Sequence, residues 1–299
     1  MKLISIIFTT ASSLSWLSIG LQNTENVCES GSLGQVQRRL CQKNSRFNLA
    51  LSHAATETVN SCQEMMATER WGCHSIKALP SLKRELKEAT TESAFVHALS
   101  SAQLVASLTR LCESGTIGKC SSEQIRQFAT EFTDIVPLQK RRKQLGTIEV
   151  HNLNIGRKVA LASKTQICKC HGQSGSCTQK TCWETSPDSK IISAKLAKKY
   201  ETAARISTDV NNAIPAQISQ FVARDRLLYT QTKQDFCNET KGRECDPFIL
   251  GTGSCEKLCC RRGFIHKTSN EVKEECRFIW PAQIECVPKI ITIKKYLCA

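Results

Sequence analysis

The sequence predicts a disulfide-rich α+β fold, in which a helical N-terminal domain carries a stapled β-hairpin and precedes a small cystine-rich β domain. Three observations support this prediction. Apolar residues recur at helical spacing in the first two thirds of the chain. Four cysteines crowd into residues 168–182, and eight more follow among alternating segments. We therefore place the helical domain at 23–206, a linker at 207–236 and the cystine-rich domain at 237–299.

The cysteine content and the N-terminus both indicate export. The chain of 299 residues has 18 cysteines, an even number that favours an oxidising compartment. Lys2 precedes the apolar and small-residue run Leu3–Leu21, which predicts a signal peptide at 1–22. A membrane anchor is the alternative, but Thr9, Thr10 and several serines interrupt the run. We expect a secreted protein.

The formal charge of +14 predicts polyanionic partners outside the cell. Heparan sulfate in the extracellular matrix is the natural candidate, with the lysine-rich segments Lys140–Lys143 and Lys195–Lys199 as contact sites. Such runs are also common on solvated faces. No nucleic-acid partner is expected, because the chain has no reader motif and no aromatic-interleaved basic stretch.

Apolar stripes predict the helices of the N-terminal domain. They lie at 44–70, 86–112 and 191–205, with a short helix at 158–163. His53 and His97 fall within these helices, and we interpret them as surface or core residues rather than ligands. Beyond Cys237 the alternation, as in Ile290–Tyr296, predicts short strands and loops held by disulfides.

The segment 168–182 reads CKCHGQSGSCTQKTC, with its cysteines nested. Nested pairing would produce a stapled hairpin whose tip carries Gln173, Ser174, Gly175 and Ser176. Gly172 and Gly175 can take the positive φ angles of a tight tip.

Two catalytic or metal readings of this segment are weaker. A hydrolase nucleophile elbow needs a glycine two places after the serine, where Ser176 stands, although His171 could in principle act as a base. A zinc site would use the four cysteines and His171, but thiols this close oxidise first in an oxidising lumen. We predict no enzymatic activity and no metal.

The same string is similar to the core motif of the Wnt family of signalling ligands. Family members carry CKCHG, one variable residue, SGSC and then TCW, which Thr181, Cys182 and Trp183 match. The resemblance implies that Ser174, the first serine of SGSC, carries an O-linked monounsaturated fatty acyl chain added by the acyltransferase porcupine. No further cofactor is implied.

Other segments extend the resemblance over most of the chain and imply a Wnt-like fold. They resemble the family motifs RWNC, ETAFVYA, FSREFVD, HNNEAGR, CELLCCGRG and CKFHW, and they lie at Arg70–Cys73, Glu92–His97, Phe128–Asp134, His151–Arg157, Cys255–Gly263 and Cys276–Trp280.

The chain departs from the family in having fewer cysteines and no tryptophan-rich loop before Phe128. Family cysteines fall on Ser122, Glu274, Pro281, Ala282 and Lys289. Spacing alone does not select a connectivity. The resemblance implies these pairs: Cys28–Cys41, Cys62–Cys73, Cys112–Cys120, Cys168–Cys182, Cys170–Cys177, Cys237–Cys260, Cys245–Cys255, Cys259–Cys298 and Cys276–Cys286.

The resemblance also implies two contacts with the cysteine-rich domain of a Frizzled-type receptor. The implied receptor-binding residues are Gln173 and Ser174 in the hairpin and Phe278, Ile279, Trp280 and Ile284 in the loop 276–286. That loop tip could instead be a small core element, but an exposed Trp suits a binding anchor. A co-receptor and a carrier that shields the lipid during export are further implied partners.

Asn238 and Thr240 form a glycosylation sequon in a predicted loop. The implied function is activation of Wnt signalling in development, cell fate and polarity. Two alternatives remain open. The missing loop and bridges suit an antagonist or non-signalling relative, and a secreted disulfide-rich hydrolase would need a His and Asp pair that does not accompany the cysteines.

Overall fold

The computed structural model describes residues 13–22, 26–134, 140–186, 188–206, 225–231 and 234–299, except for the side chains of 140–145, 183 and 184. The chain divides into two compact units, Met1–Met65 with Cys73–Gln234 and Met66–Gly72 with Asp235–Ala299. Residues 66–70, which the apolar pattern predicts to extend a helix, belong to the second unit. The predicted linker 207–236 lies mostly outside the described residues.

The first unit is built from helices and two small sheets. Its helices are α1 (Gln35–Lys43), α2 (Asn48–Met65), α3 (Arg84–Lys87), α4 (Thr91–Glu113), α5 (Ser122–Thr133), α6 (Lys140–Leu161) and α7 (Ser189–Glu201). Its strands are β1 (Thr165–Cys170), β2 (Lys180–Thr185), β3 (Ala204–Arg205) and β4 (Leu228–Tyr229). The antiparallel pair β1–β2 and the parallel pair β3–β4 form separate sheets.

Helix α4 is the centre of this unit and packs against α2, α3, α5, α6 and α7. It begins where the Thr90 side chain accepts a hydrogen bond from the Ser93 amide, which satisfies a free N–H of the first turn. Nearly every residue from Thr91 to Cys112 is buried. A helix that is buried all round needs partners on every side, so α4 positions the other helices.

The approach of α6 to α4 depends on Gly156. A Cβ atom added there would collide with the carbonyl oxygen of Ala98, so only glycine allows this separation of the two backbones. The Ser101 hydroxyl donates to the Leu153 carbonyl across the same interface, at 2.6 Å. The close contact therefore also pairs polar groups.

Charged and polar side chains join the neighbouring elements. The Arg157 guanidinium of α6 donates to both carboxylate oxygens of Asp134, at 2.7 and 2.9 Å, and to the Thr133 hydroxyl. The Asn152 side chain pairs with the backbone N–H and C=O of Leu228 in β4, each at 2.9 Å. These bonds account for Asn152 and Arg157 of the HNNEAGR-like segment.

His97 is a core residue and His53 is exposed, in agreement with their interpretation as non-ligands. Burial lowers the pKa of His97 to about 3, so its ring is neutral at physiological pH. Burial raises the pKa of Glu149, which lies 3.9 Å from the His97 ring, to about 7. This pair is therefore largely uncharged in mildly acidic surroundings.

All four predicted helices differ from their predicted bounds, and the helix predicted at 44–70 is α2 (Asn48–Met65). The short helix predicted at 158–163 is wrong, because α6 runs over 22 residues and ends at Leu161. The basic start of α6, its asparagines and Gly156 obscure the helical spacing of its apolar residues. The buried apolar residues are Ile148, Leu153, Ile155, Val159 and Ala160. The predicted helices at 86–112 and 191–205 begin and end at slightly different residues, as α4 and α7.

The C-terminal part of the predicted signal peptide is part of the fold. Residues Ser15–Leu21 form a 3₁₀ helix, and Trp16, Leu17 and Ile19 are buried. Trp16 packs edge-on against Phe132 at 5.5 Å. Apolarity is common to a leader and a buried segment, so composition alone does not separate them. A cleavage after residue 22 would remove this packing, whereas residues 1–12 lie outside the described part.

The second unit is a three-stranded sheet with a short helix, held by disulfides. Strands β5 (Glu244–Cys245), β6 (Phe264–Ile279) and β7 (Gln283–Cys298) lie in the order β5-β7-β6, all antiparallel, and α8 spans Cys255–Leu258. The Arg243 guanidinium donates to the carbonyls of Ala67, Glu69 and Arg70, which ties residues 66–72 to this unit.

Strands β6 and β7 have 16 residues each, so the prediction of only short strands is wrong here. Charged residues on one face of these strands interrupt the alternation of apolar and polar residues, and this obscures the length of the strands in the sequence. Across the described ranges, we find no helix with the length and apolarity needed to cross a bilayer.

The α4–α6 contact generates a stability prediction. Replacing Gly156 with alanine should lower the free energy of unfolding by about 1–3 kcal/mol, because the new methyl group forces the helices apart. Alanine's higher helix propensity, worth about 1 kcal/mol, offsets only part of this loss. Thermal unfolding of the purified protein measures the effect.

Gly31→Ala is the matched control, because an added Cβ there meets no atom within 4 Å. It should unfold at the temperature of the unchanged protein. Equal unfolding temperatures for both variants would contradict the proposed close packing.

Candidate functional site

The hairpin β1–β2 is an exposed ribbon closed by two disulfides. Its six residue pairs run in register from Thr165↔Thr185 to Cys170↔Lys180, and Cys168 lies directly opposite Cys182. The disulfides join Cys168 to Cys182 and Cys170 to Cys177, with Cα–Cα distances of 4.0 and 4.6 Å. Each of these sulfurs is bonded to another sulfur, so none is a thiolate available to zinc.

The tip of this hairpin has a backbone conformation that is unusual for serine. Gln173–Gly175 form a 3₁₀ turn in which Ser174 has φ 59° and ψ 27°, followed by Gly175 at φ 76°. The left-handed conformation costs an L-residue about 1–2 kcal/mol. Hydrogen bonds from the Gly172 amide to Ser176 O (2.8 Å) and from the Gly175 amide to Gly172 O (2.9 Å) hold the turn.

Gly172 differs from its prediction, because its φ is −67° rather than positive. The reason for glycine there is space. An added Cβ would collide with the Ser176 hydroxyl and carbonyl oxygens and with the Thr178 hydroxyl. The positive φ predicted at Gly172 occurs instead at Ser174.

The two serines of the tip differ in their hydrogen bonding. Both are exposed, but the Ser176 hydroxyl lies 3.0 Å from the Thr178 hydroxyl. Ser174 has no hydrogen-bond partner for its hydroxyl within the described residues. The left-handed turn therefore presents the Ser174 hydroxyl, and not that of Ser176, without a hydrogen-bond partner among the described residues.

The second candidate contact is the turn between β6 and β7. Phe278 lies directly opposite Ile284, and Cys276 opposite Cys286, to which it is disulfide-bonded. Trp280 is 84% exposed, Phe278 68% and Ile284 72%, while Ile279 is 43% exposed. The alternative of a small core element at this tip is therefore wrong.

All nine disulfides join the cysteines that the resemblance pairs, and no cysteine is free. Four of them lie in the second unit, where Cys245, Cys255, Cys259 and Cys298 form the buried cluster together with Leu258. In this unit covalent bonds replace much of an apolar core.

Lysines line a cavity of about 480 Å³ between α6 and α7. Lys158, Lys195, Lys198 and Lys199 contribute to its wall, and Val159 and Ala162 also line it. Lys199 is paired with Asp225 at 2.6 Å, and Lys195 donates to the Ser163 hydroxyl at 2.9 Å. The predicted segment Lys195–Lys199 is thus part of a basic groove, while the side chains of Lys140–Lys143 lie outside the described part.

The sequon lies at the surface of the second unit. Asn238 is exposed in the 3₁₀ turn Cys237–Thr240. The Thr240 hydroxyl donates to the Cys237 carbonyl at 2.8 Å and accepts from Arg262 at 2.7 Å.

Comparison with known proteins assigns the family. The model of the Wnt family matches residues 29–131 and 125–299. Wnt-11 of Xenopus laevis is 30% identical over 94% of this chain and 91% of its own length, and Wnt-11 of Gallus gallus is 29% identical over 94% and 90%. A chain in the solved structure of human WLS in complex with WNT8A superposes with a TM-score of 0.58 and 26% identity, over 85% of this chain and 94% of its own. The chain therefore belongs to the Wnt family of secreted signalling ligands.

Proposed function

We propose that this Wnt ligand carries a fatty acyl group on Ser174 and binds the cysteine-rich domain of a Frizzled-type receptor through that lipid and the β6–β7 tip. The observation that carries the proposal is the unpaired, exposed Ser174 hydroxyl on a doubly cross-linked turn. An acyltransferase of the porcupine type needs an accessible oxygen in a fixed position. The proposed signal is one of development, cell fate and polarity.

Magnitudes favour the lipid as the main source of affinity. A chain of about sixteen carbons, at about 0.8 kcal/mol per buried methylene, contributes on the order of 10 kcal/mol before ordering costs. A single aromatic anchor such as Trp280 contributes about 2–4 kcal/mol. The lipid should provide most of the affinity for the receptor, and the tip should make a smaller contribution.

The lipid also implies a carrier during export. A free acyl chain in water exposes a large apolar surface, which proteins normally cover. The solved structure in which WNT8A is bound to WLS supports a carrier of that kind for this chain. We propose that the carrier holds the acylated protein until release.

We further propose that the protein is retained in the extracellular matrix by heparan sulfate in the basic groove. Lys158 and Lys198 are exposed at its rim, and sulfate groups would pair with their ammonium groups. N-glycosylation at Asn238 is compatible with its exposed position.

The acylation proposal predicts different behaviour for the two serines of the tip. Ser174→Ala should remove the acyl mass from the peptide that contains residue 174 and reduce receptor binding by at least about 100-fold, because most of the lipid's burial energy is lost. Mass spectrometry and a binding assay with immobilised receptor cysteine-rich domain measure the two effects.

Ser176→Ala is the matched control, since it removes an exposed hydroxyl from the same turn. It should keep the acyl mass and most of the affinity. An unmodified Ser174 peptide in fully potent protein would overturn the proposal, and this measurement does not depend on whether the Ser174→Ala variant is exported.

The second contact predicts a smaller effect at Trp280. Trp280→Ala should weaken receptor binding by roughly 30-fold, which corresponds to about 2 kcal/mol, without changing acylation. Phe248→Ala is the control, because Phe248 is an equally exposed aromatic residue of the same unit (82%) outside the tip. The tip has no role in binding if both variants bind as the unchanged protein does.

The groove predicts tight binding to heparin. The triple variant Lys158→Ala, Lys195→Ala and Lys198→Ala should elute from a heparin column at lower salt, because screening then overcomes the weaker attraction sooner. The control removes the same charge from Lys273, Lys289 and Lys294 in the β6–β7 hairpin. Equal elution of the two triple variants would show that net charge alone determines binding.

A further inference from the structure

The β6–β7 hairpin has two chemically different faces. Opposed residues in an antiparallel pair share a face, and successive residues alternate between faces. The register is unbroken from Phe264↔Cys298 to Ile279↔Gln283, so the faces can be assigned directly. We define the apolar face of the hairpin by Val272, Cys276, Phe278, Ile284, Cys286, Pro288 and Ile290.

The apolar face is exposed along its whole length. Val272 is 67% and Ile290 70% exposed, although they lie directly opposite each other in mid-hairpin. At about 3.3 Å per residue, the eight steps from Val272 to Trp280 span roughly 26 Å. Monomeric proteins rarely leave apolar strips of this extent uncovered, which indicates a binding surface.

The opposite face is solvated by charges. It bears ion pairs between Lys289 and Glu275 (3.1 Å) and between Lys295 and Glu271 (3.5 Å). A partner that covered this face would have to strip water from these groups, at a large energetic cost. A partner therefore covers the apolar face at a lower desolvation cost than the charged face.

We propose that the receptor's cysteine-rich domain lies along the apolar face as far as Val272 and Ile290, in addition to touching the tip. The inference rests on the proposed function, because the strip is continuous with Phe278, Ile284 and the Trp280 tip. The tip offers only a few side chains, whereas each partner in a stable interface contributes roughly 20–30 residues. The apolar face of the hairpin supplies additional contact area for such an interface.

The same face also specifies a charge on the partner. Glu274 lies between Val272 and Cys276 on this face, opposite Pro288, and it is the acidic residue of that stretch. A covered carboxylate needs a cation, so the receptor surface that meets it must offer an Arg or Lys side chain. The expected partner is therefore an apolar surface with one basic residue.

The test compares two double variants in the full-length acylated protein. Val272→Thr with Ile290→Thr alters the apolar face, and Val287→Thr with Ile291→Thr makes the same pair of changes on the charged face. Threonine keeps the β-branched shape that suits a strand. Binding to immobilised receptor cysteine-rich domain should fall about tenfold for the first variant and less than about twofold for the second.

The outcomes separate this inference from the proposed function. Unchanged binding of the apolar-face variant, together with weakened binding of Trp280→Ala, overturns the extended interface and leaves the tip contact in place. Equal losses for both double variants also overturn it, because the effect then reflects strand stability. The single variant Glu274→Lys should also weaken receptor binding relative to the unchanged protein, and a gain in affinity would contradict the proposed cation on the receptor.

Discussion

Covalent cross-linking is the constraint on which both exposed hairpins depend. The β1–β2 hairpin is exposed over its length, and β6–β7 extends well beyond its short pairing with β5. A two-stranded hairpin by itself is marginally stable in water. Disulfides between opposed residues, Cys168–Cys182 and Cys276–Cys286, restrict the unfolded chain instead of adding a core. A ribbon that is stabilised in this way can remain exposed on both faces.

The helical unit is stabilised in a different way, by a helix that is buried on all sides. Because α4 contacts five other helices, residues in the segments that resemble the family motifs have structural explanations. Thr90 caps α4, Glu92 accepts a hydrogen bond from the Tyr200 hydroxyl, and Arg157 neutralises Asp134. These residues stabilise the helical unit that carries the β1–β2 hairpin, and none of them contacts Ser174.

The sequence predicted the fold class, the disulfide-rich domain and the central helices, because apolar spacing and cysteine crowding are local signals. It missed the length of α6, since Gly156 looks like a helix breaker until α4 lies against it. It did not predict the burial of Ser15–Leu21 at the end of the predicted signal peptide, since that burial depends on residues more than a hundred positions away, such as Phe132. Contacts of this kind have no local signature, and neither does the alternation of faces in a strand interrupted by charges.

The conformation of Ser174 relates the disulfide bonds of the β1–β2 hairpin to the proposed acylation. A left-handed Ser174 is unfavourable by itself, so a free peptide would rarely present its hydroxyl in this way. The two disulfides and the Gly172 hydrogen bonds maintain that conformation before any lipid is attached. The acyl chain that we propose on Ser174 would supply affinity that depends little on side-chain shape, whereas the β6–β7 hairpin presents a patterned surface of apolar and acidic groups. In the proposed binding mode, affinity and specificity come from separate hairpins, so each could change without the other.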